Sequence, residues 1–169
     1  EAALAEMGAS LLGGHTAEGR ETAVALSVNG LVDPDAVWRK SGLAIGDVLV
    51  LTKPIGIGTL FAAAMRLKAK GRWLDQAIES MLQTNAAAAK VLAQFVVRAA
   101  TDVTGFGLAG HLGEMLIASQ VEVELDLKSL PILEGALATS TAGILSTIDP
   151  GNRRAEQWIV AKGNATSHP

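Results

Sequence analysis

Ala100-Thr101-Asp102-Val103-Thr104-Gly105-Phe106-Gly107-Leu108-Ala109-Gly110-His111-Leu112 is the most informative run of the chain. Val96 to Ala100 reads as a short strand, and Gly105 to Ser119 reads as a helix. An acid, Asp102, therefore stands at the carboxyl end of a strand, with a hydroxyl two residues later and glycines opening a helix. Ligands of open α/β sheets gather at strand carboxyl ends. Helix-opening N–H groups favour anions, and a carboxylate beside them suits Mg²⁺, which takes oxygen ligands and bridges phosphate oxygens. The run thus reads as a metal-phosphate site with Asp102 as a ligand. The same residues also read as plain capping by Asp102 or Thr104, and spacing alone slightly favours that. Glycines at 105, 107 and 110 weigh against it, because each costs a helix about 1 kcal/mol relative to Ala.

The flanking sequence extends this pattern. Residues 2–12 favour helix by propensity, and Gly13-Gly14 reads as its stop. Residues 22–31 alternate as a strand through Val24, Leu26 and Val28. Asp33-Pro34-Asp35 is a turn. Val48 to Thr52 is a continuous apolar run, the mark of a strand buried on both faces. Lys53-Pro54-Ile55-Gly56-Ile57-Gly58-Thr59 then feeds a helix carrying Leu60, Phe61, Ala64 and Leu67 on one face, with Gly71 as its terminator. A helical stretch runs from about Trp73 to Phe95, where Asn85 reads best as the cap of a second helix. Val121 to Leu127 alternates as a half-buried strand with an acidic outer face. Pro131 opens a further helix to about Thr141, and Arg153 to Val160 reads as a short helix or strand. The expected fold class is α/β (α+β), a mixed β-sheet packed against helices.

Other candidates are weaker. Gly13-Gly14-His15-Thr16 would let backbone approach a phosphate or a neighbouring domain, although a helix stop with a surface histidine explains it as well. Lys53 precedes Gly56 and Gly58, the wrong order for a phosphate loop, whose lysine follows the last glycine. His111 reads as a packing histidine on an apolar helix. His168 is uninformative.

Composition excludes several classes. The chain of 169 residues is 49 % hydrophobic, enough for a real core. It has no cysteine, which rules out disulfide scaffolds, iron–sulfur clusters and thiol nucleophiles in this chain. A net charge of -3 offers no basic footprint for nucleic acid, and the absence of Tyr argues against a base-stacking platform. No segment approaches a membrane span or a secretory leader, so a cytoplasmic location and no membrane partner are expected. The start at Glu1 and the loop-like run Lys162 to Pro169 suggest a fragment.

Taken together, Gly13-Gly14-His15-Thr16, Val48 to Gly56 and Ala100 to His111 closely resemble the selenophosphate synthetase (selenide, water dikinase) family, within the aminoimidazole ribonucleotide synthetase-like superfamily. The Asp102 to His111 stretch is the specific part, since other superfamily branches lack this form. The resemblance spans roughly residues 1–165 and implies the carboxy-terminal domain of a two-domain enzyme. On that basis residues 1–12 are a linker helix, 13–145 the core and 146–169 a truncated tail. It also implies that the whole enzyme makes selenophosphate, AMP and phosphate from ATP, selenide and water, as a homodimer. Asp102 matches a magnesium ligand in that family. Gly13, Gly14 and His15 match a segment that contacts ATP. The reactive Cys or selenocysteine belongs to the other domain, so this chain alone is expected to be catalytically silent, or an inert folding and assembly module.

Overall fold

The computed structural model describes residues 2–160. The run Lys162 to Pro169, with His168, lies outside the described residues. The chain divides into two units, Glu1–Val37 and Trp38–Pro169.

In the first unit, α1 (Ala2–Glu6) stops well before Gly13. Gly8 ends it, with φ +67°. The Gly8 N–H bonds the Ala5 carbonyl at 3.0 Å and the Ala9 N–H bonds the Leu4 carbonyl at 2.8 Å. This left-handed glycine cap satisfies the helix's last carbonyls. Further on, the Asp33 carboxylate accepts the Asp35 N–H at 3.0 Å and starts a single 3-10 turn, Pro34–Ala36.

The second unit is organised by helices. A parallel bridge joins Ile55 to Ile132. The Ile55 N–H donates to the Pro131 carbonyl at 3.0 Å, and the Leu133 N–H donates to the Ile55 carbonyl at 2.9 Å. α2 (Ile57–Met65) starts just after, and packs against both α3 (Gly71–Leu82) and α6 (Ala136–Thr141). Leu60, Ala77, Leu133 and Ala136 form the core between them, with Ile57, Phe61 and Trp73 packed around it. Two glycines are needed for the close approach. Gly56 (φ +120°) faces the Ala136 methyl, and Gly135 (φ +85°) lies against the Trp73 ring. Lys53 closes this cluster from below: its Nζ donates to the Ser80 and Gln83 carbonyls at 3.1 and 3.0 Å. A cation at the α3 C-terminus also suits the helix dipole. Lys53 is thus a helix-end cap. α4 (Ala86–Leu92) follows a break, with Asn85 at its N-cap position but no side-chain capping bond.

A second cluster forms around α5 (Gly107–Ser119), which packs against α7 (Asp149–Asn152) and the 3-10 turn Arg153–Trp158. His111, Leu112, Gly113 and Met115 are its buried face. The Trp158 ring lies directly over Gly113.

The expected mixed β-sheet is overturned. Among the described residues there is no strand, and the Ile55–Ile132 bridge is the single β pairing. Segments 22–31, 48–52, 96–100 and 121–127 run without a ladder. Their apolar residues are largely exposed, with Val24, Val48 and Val96 at 83, 85 and 90 %. Alternation gives a segment an apolar side, but a strand exists only where a neighbour pairs its N–H and C=O groups. The sequence pattern supplied the side and not the neighbour.

Several helix limits shift for equally local reasons. Pro131 does not open α6; its carbonyl serves the bridge instead. α2 ends at Met65 because Leu67 turns left-handed (φ +55°); Gln120 ends α5 in the same way, at the expected limit Ser119. In both places the six-to-one bond of a glycine-type cap forms without glycine: Lys68 N–H to Ala63 O at 2.8 Å, and Val121 N–H to Leu116 O at 3.2 Å. Leu67 is 93 % exposed, so its side chain contributes no burial there. Leu67→Gly is therefore expected to stabilise the chain by about 0.5–1 kcal/mol, the strain of a left-handed L-residue less the added chain entropy. Gly135→Ala, which drives a methyl into the Trp73 ring, is expected to cost at least about 2 kcal/mol. Urea unfolding of the two variants checks both signs.

Candidate functional site

The loop from Thr101 to Phe106 leads into α5. The Gly107 N–H bonds back to the Thr104 carbonyl at 3.0 Å, and Gly107 itself has φ +75°. No side chain caps α5; its N-cap position is Phe106. The capping role considered for Asp102 and Thr104 is therefore not what these residues do.

Asp102 is exposed, and its carboxylate has no partner among the described residues. The Thr104 hydroxyl instead meets His111 Nε2 at 3.0 Å. His111 is only 7 % exposed. Its Nδ1 is sealed from solvent without a hydrogen-bond partner, and the Glu114 carboxylate stands 3.9 Å away. Glu114 is in turn held by Lys40 Nζ at 2.5 Å. The Phe106 ring leans over the imidazole, with centroids 6.0 Å apart and planes at 52°. Asn152 Nδ2 donates to the Gly105 carbonyl at 2.9 Å, and the Ile148 side chain occupies the space beside Gly105. Side chains from α5 and α7 thus hold the loop at two successive residues, while Asp102 points its charge to solvent unpaired.

An exposed, partnerless carboxylate fits an oxygen-ligand cation such as Mg²⁺. It supplies one ligand only: among the described residues no three acids or histidines converge on a point. Any further ligands would be phosphate oxygens, water or groups beyond this loop.

Gly13, Gly14 and His15 belong to the first unit, and Asp102 to the second. All three are exposed. Neither Gly13 nor Gly14 has positive φ, and a methyl added at either meets nothing within 4 Å. Nothing in their own surroundings requires glycine. A hollow of about 220 Å³ lies elsewhere, lined by Lys68, Trp73, Ala138, Thr139, Ala142 and Ile144. It is mostly apolar, holds no acid and shares no residue with the Asp102 loop.

Sequence reasoning found Asp102 and Thr104 but took His111 for simple packing. The seven-residue step from Thr104 to His111, across a helix start, was the available signal. Lys40, Glu114 and Asn152 gave none, because their partners lie far away in sequence or carry no motif.

The chain belongs to the family described as AIR synthase related protein, C-terminal domain, whose model matches residues 44–154. That span contains Asp102, Thr104, His111 and Asn152. More particularly, the chain is 42 % identical over 140 residues to a selenide, water dikinase of Clostridioides difficile, covering 83 % of this chain and 40 % of the relative. It is 42 % identical over 155 residues to a selenide, water dikinase of Nitratidesulfovibrio vulgaris, covering 89 % and 43 %. It is 37 % identical over 162 residues to one from Pelobacter propionicus, covering 96 % and 47 %. The resemblance read from the three motifs is borne out. The chain spans less than half the length of these curated relatives. No helix among the described residues is long and apolar enough to cross a membrane.

The Lys40 ammonium, by hydrogen bond and charge, holds the Glu114 carboxyl below its ordinary value of 4.5. The pair therefore acts above that ordinary value and is lost as pH falls through the lowered one. In Lys40→Met the Glu114 carboxyl should titrate higher, back toward 4.5, in a ¹³C carboxyl NMR titration. An unmoved midpoint would refute the pairing.

Proposed function

We propose that the chain is the carboxy-terminal domain of a selenide, water dikinase, with residues 1–12 as linker, 13–145 as core and 146–169 as tail. The whole enzyme would convert ATP, selenide and water to selenophosphate, AMP and phosphate, working as a cytoplasmic homodimer with no nucleic-acid or membrane partner. The observation that carries this reading is Asp102: an exposed carboxylate with no partner, on a loop anchored from two helices, inside the run shared with the family.

Asp102 would contribute one magnesium ligand. When bound, the cation neutralises phosphate charge, which is most of what a phosphoryl-transfer site has to do. The Thr104–His111 and Asn152–Gly105 bonds keep the carboxylate in place for it. Gly13, Gly14 and His15 would contact ATP, the open glycine pair allowing close approach to phosphate. The nucleophile is supplied from outside this chain.

A second reading is an inert assembly module. The apolar residues left exposed along 22–31, with Leu31 at 105 %, favour it, since apolar side chains gathered in one exposed segment mark an interaction surface.

Calorimetric titration of Mg-ATP into the chain separates the two. The dikinase reading expects binding that weakens at least about tenfold in Asp102→Asn, no less than the loss of an outer-shell partner costs a metal site. No binding at all supports the assembly module, and binding indifferent to that change overturns the role of Asp102. AMP formation from ATP and selenide by the chain alone would overturn the assignment of the nucleophile to another domain.

A further inference from the structure

We infer that His111 is a positioning residue: it holds the Asp102 loop and fixes the Thr104 hydroxyl as an outward-facing acceptor two residues from the carboxylate. The proton arrangement follows from the surroundings of the ring. His111 Nδ1 is closed off from solvent, and the group facing it is the Glu114 carboxylate at 3.9 Å, itself held by Lys40. Negative charge on that side favours the tautomer with its proton on Nδ1. Nε2 is then a lone pair, so across the 3.0 Å contact the Thr104 hydroxyl must donate. A hydroxyl whose proton is engaged inward offers only lone pairs outward.

Asp102 and Thr104 then present acceptors alone. Such a pair selects a cation, or a water bound to one, and rejects a bare phosphate oxygen. The anchoring has a physical need behind it. The loop lacks a capping side chain at α5; besides the local Gly107–Thr104 turn and the Thr101 hydroxyl on the Asp102 carbonyl, the bonds to His111 and Asn152 hold it to the helices. The Phe106 ring lies tilted beside the imidazole, with centroids 6.0 Å apart. The holding of the loop stands on these contacts; only the choice of cation rests on the proposed dikinase reading of Asp102.

The test uses the full chain. Long-range ¹H–¹⁵N NMR of His111 should show a protonated Nδ1 and a bare Nε2; the opposite tautomer overturns the inference. Thr104→Val sits at an exposed position and removes only the hydroxyl that meets His111 Nε2. It should speed amide exchange across 102–105 at least about tenfold while α5 beyond Leu112 is unchanged, and Thr104→Ser should restore protection. Equal exchange in wild type and Thr104→Val overturns it, as does failure of Ser to rescue. Manganese titration, read by relaxation at the Asp102 amide, tests the cation separately. An affinity that falls several-fold in Thr104→Val supports the acceptor pair. No manganese effect at Asp102 in the wild type refutes the cation reading, while tautomer and exchange still decide the positioning role.

Discussion

Two hydrogen bonds organise the α2–α3–α6 cluster of the second unit: those that tie Ile55 to Pro131 and Leu133. They fix the entry to α2 beside the entry to α6, segments far apart in the chain. Once these entries are paired, Leu60 of α2 faces Leu133 and Ala136, and α3 can lay Ala77 and Trp73 on the same core. Gly56 and Gly135 have to be glycine because the pairing brings backbone against a methyl at one and an indole at the other. Lys53 then completes the arrangement by capping α3 from the same loop.

The helices were largely legible. The break at Asn85 and the start of α5 after Phe106 both follow from local residue types. The sheet was not, because pairing depends on partners that no local pattern names, and the segments 22–31 and 121–127 keep their alternation without a ladder. The end of α2 was misjudged where Leu67 adopts a conformation associated with glycine, whereas α5 ends at Ser119 as expected, with Gln120 in the same conformation. Pro131 has the residue type of a helix opener, yet its carbonyl is worth more in the bridge than its ring is at a first helical turn. Asp102 stood out as an acid beside glycines at a helix start; the strand expected to end just before it is absent. His111 was half seen: burial was expected, but the bond to Thr104 depends on a loop conformation the sequence does not specify.

Charge is distributed unevenly through this site. Glu114, on the solvent side of His111, is occupied by Lys40, whereas the exposed Asp102 carboxylate has no partner among the described residues. The two carboxylates thus differ in what holds them: the lysine offsets the charge of Glu114, and no described residue does the same for Asp102.

The indoles offer one more consequence. Trp73 lies against Gly135 in the first cluster of helices, and Trp158 lies over Gly113 in the second. Each cluster therefore carries its own fluorophore, in van der Waals contact with a glycine backbone. With Trp38 and one of the other two replaced by Phe, the remaining indole would follow the loosening of its own cluster, Trp73 that of the α2–α3–α6 core and Trp158 that of the α5 platform. The glycines that admit the rings have given each cluster its own reporter.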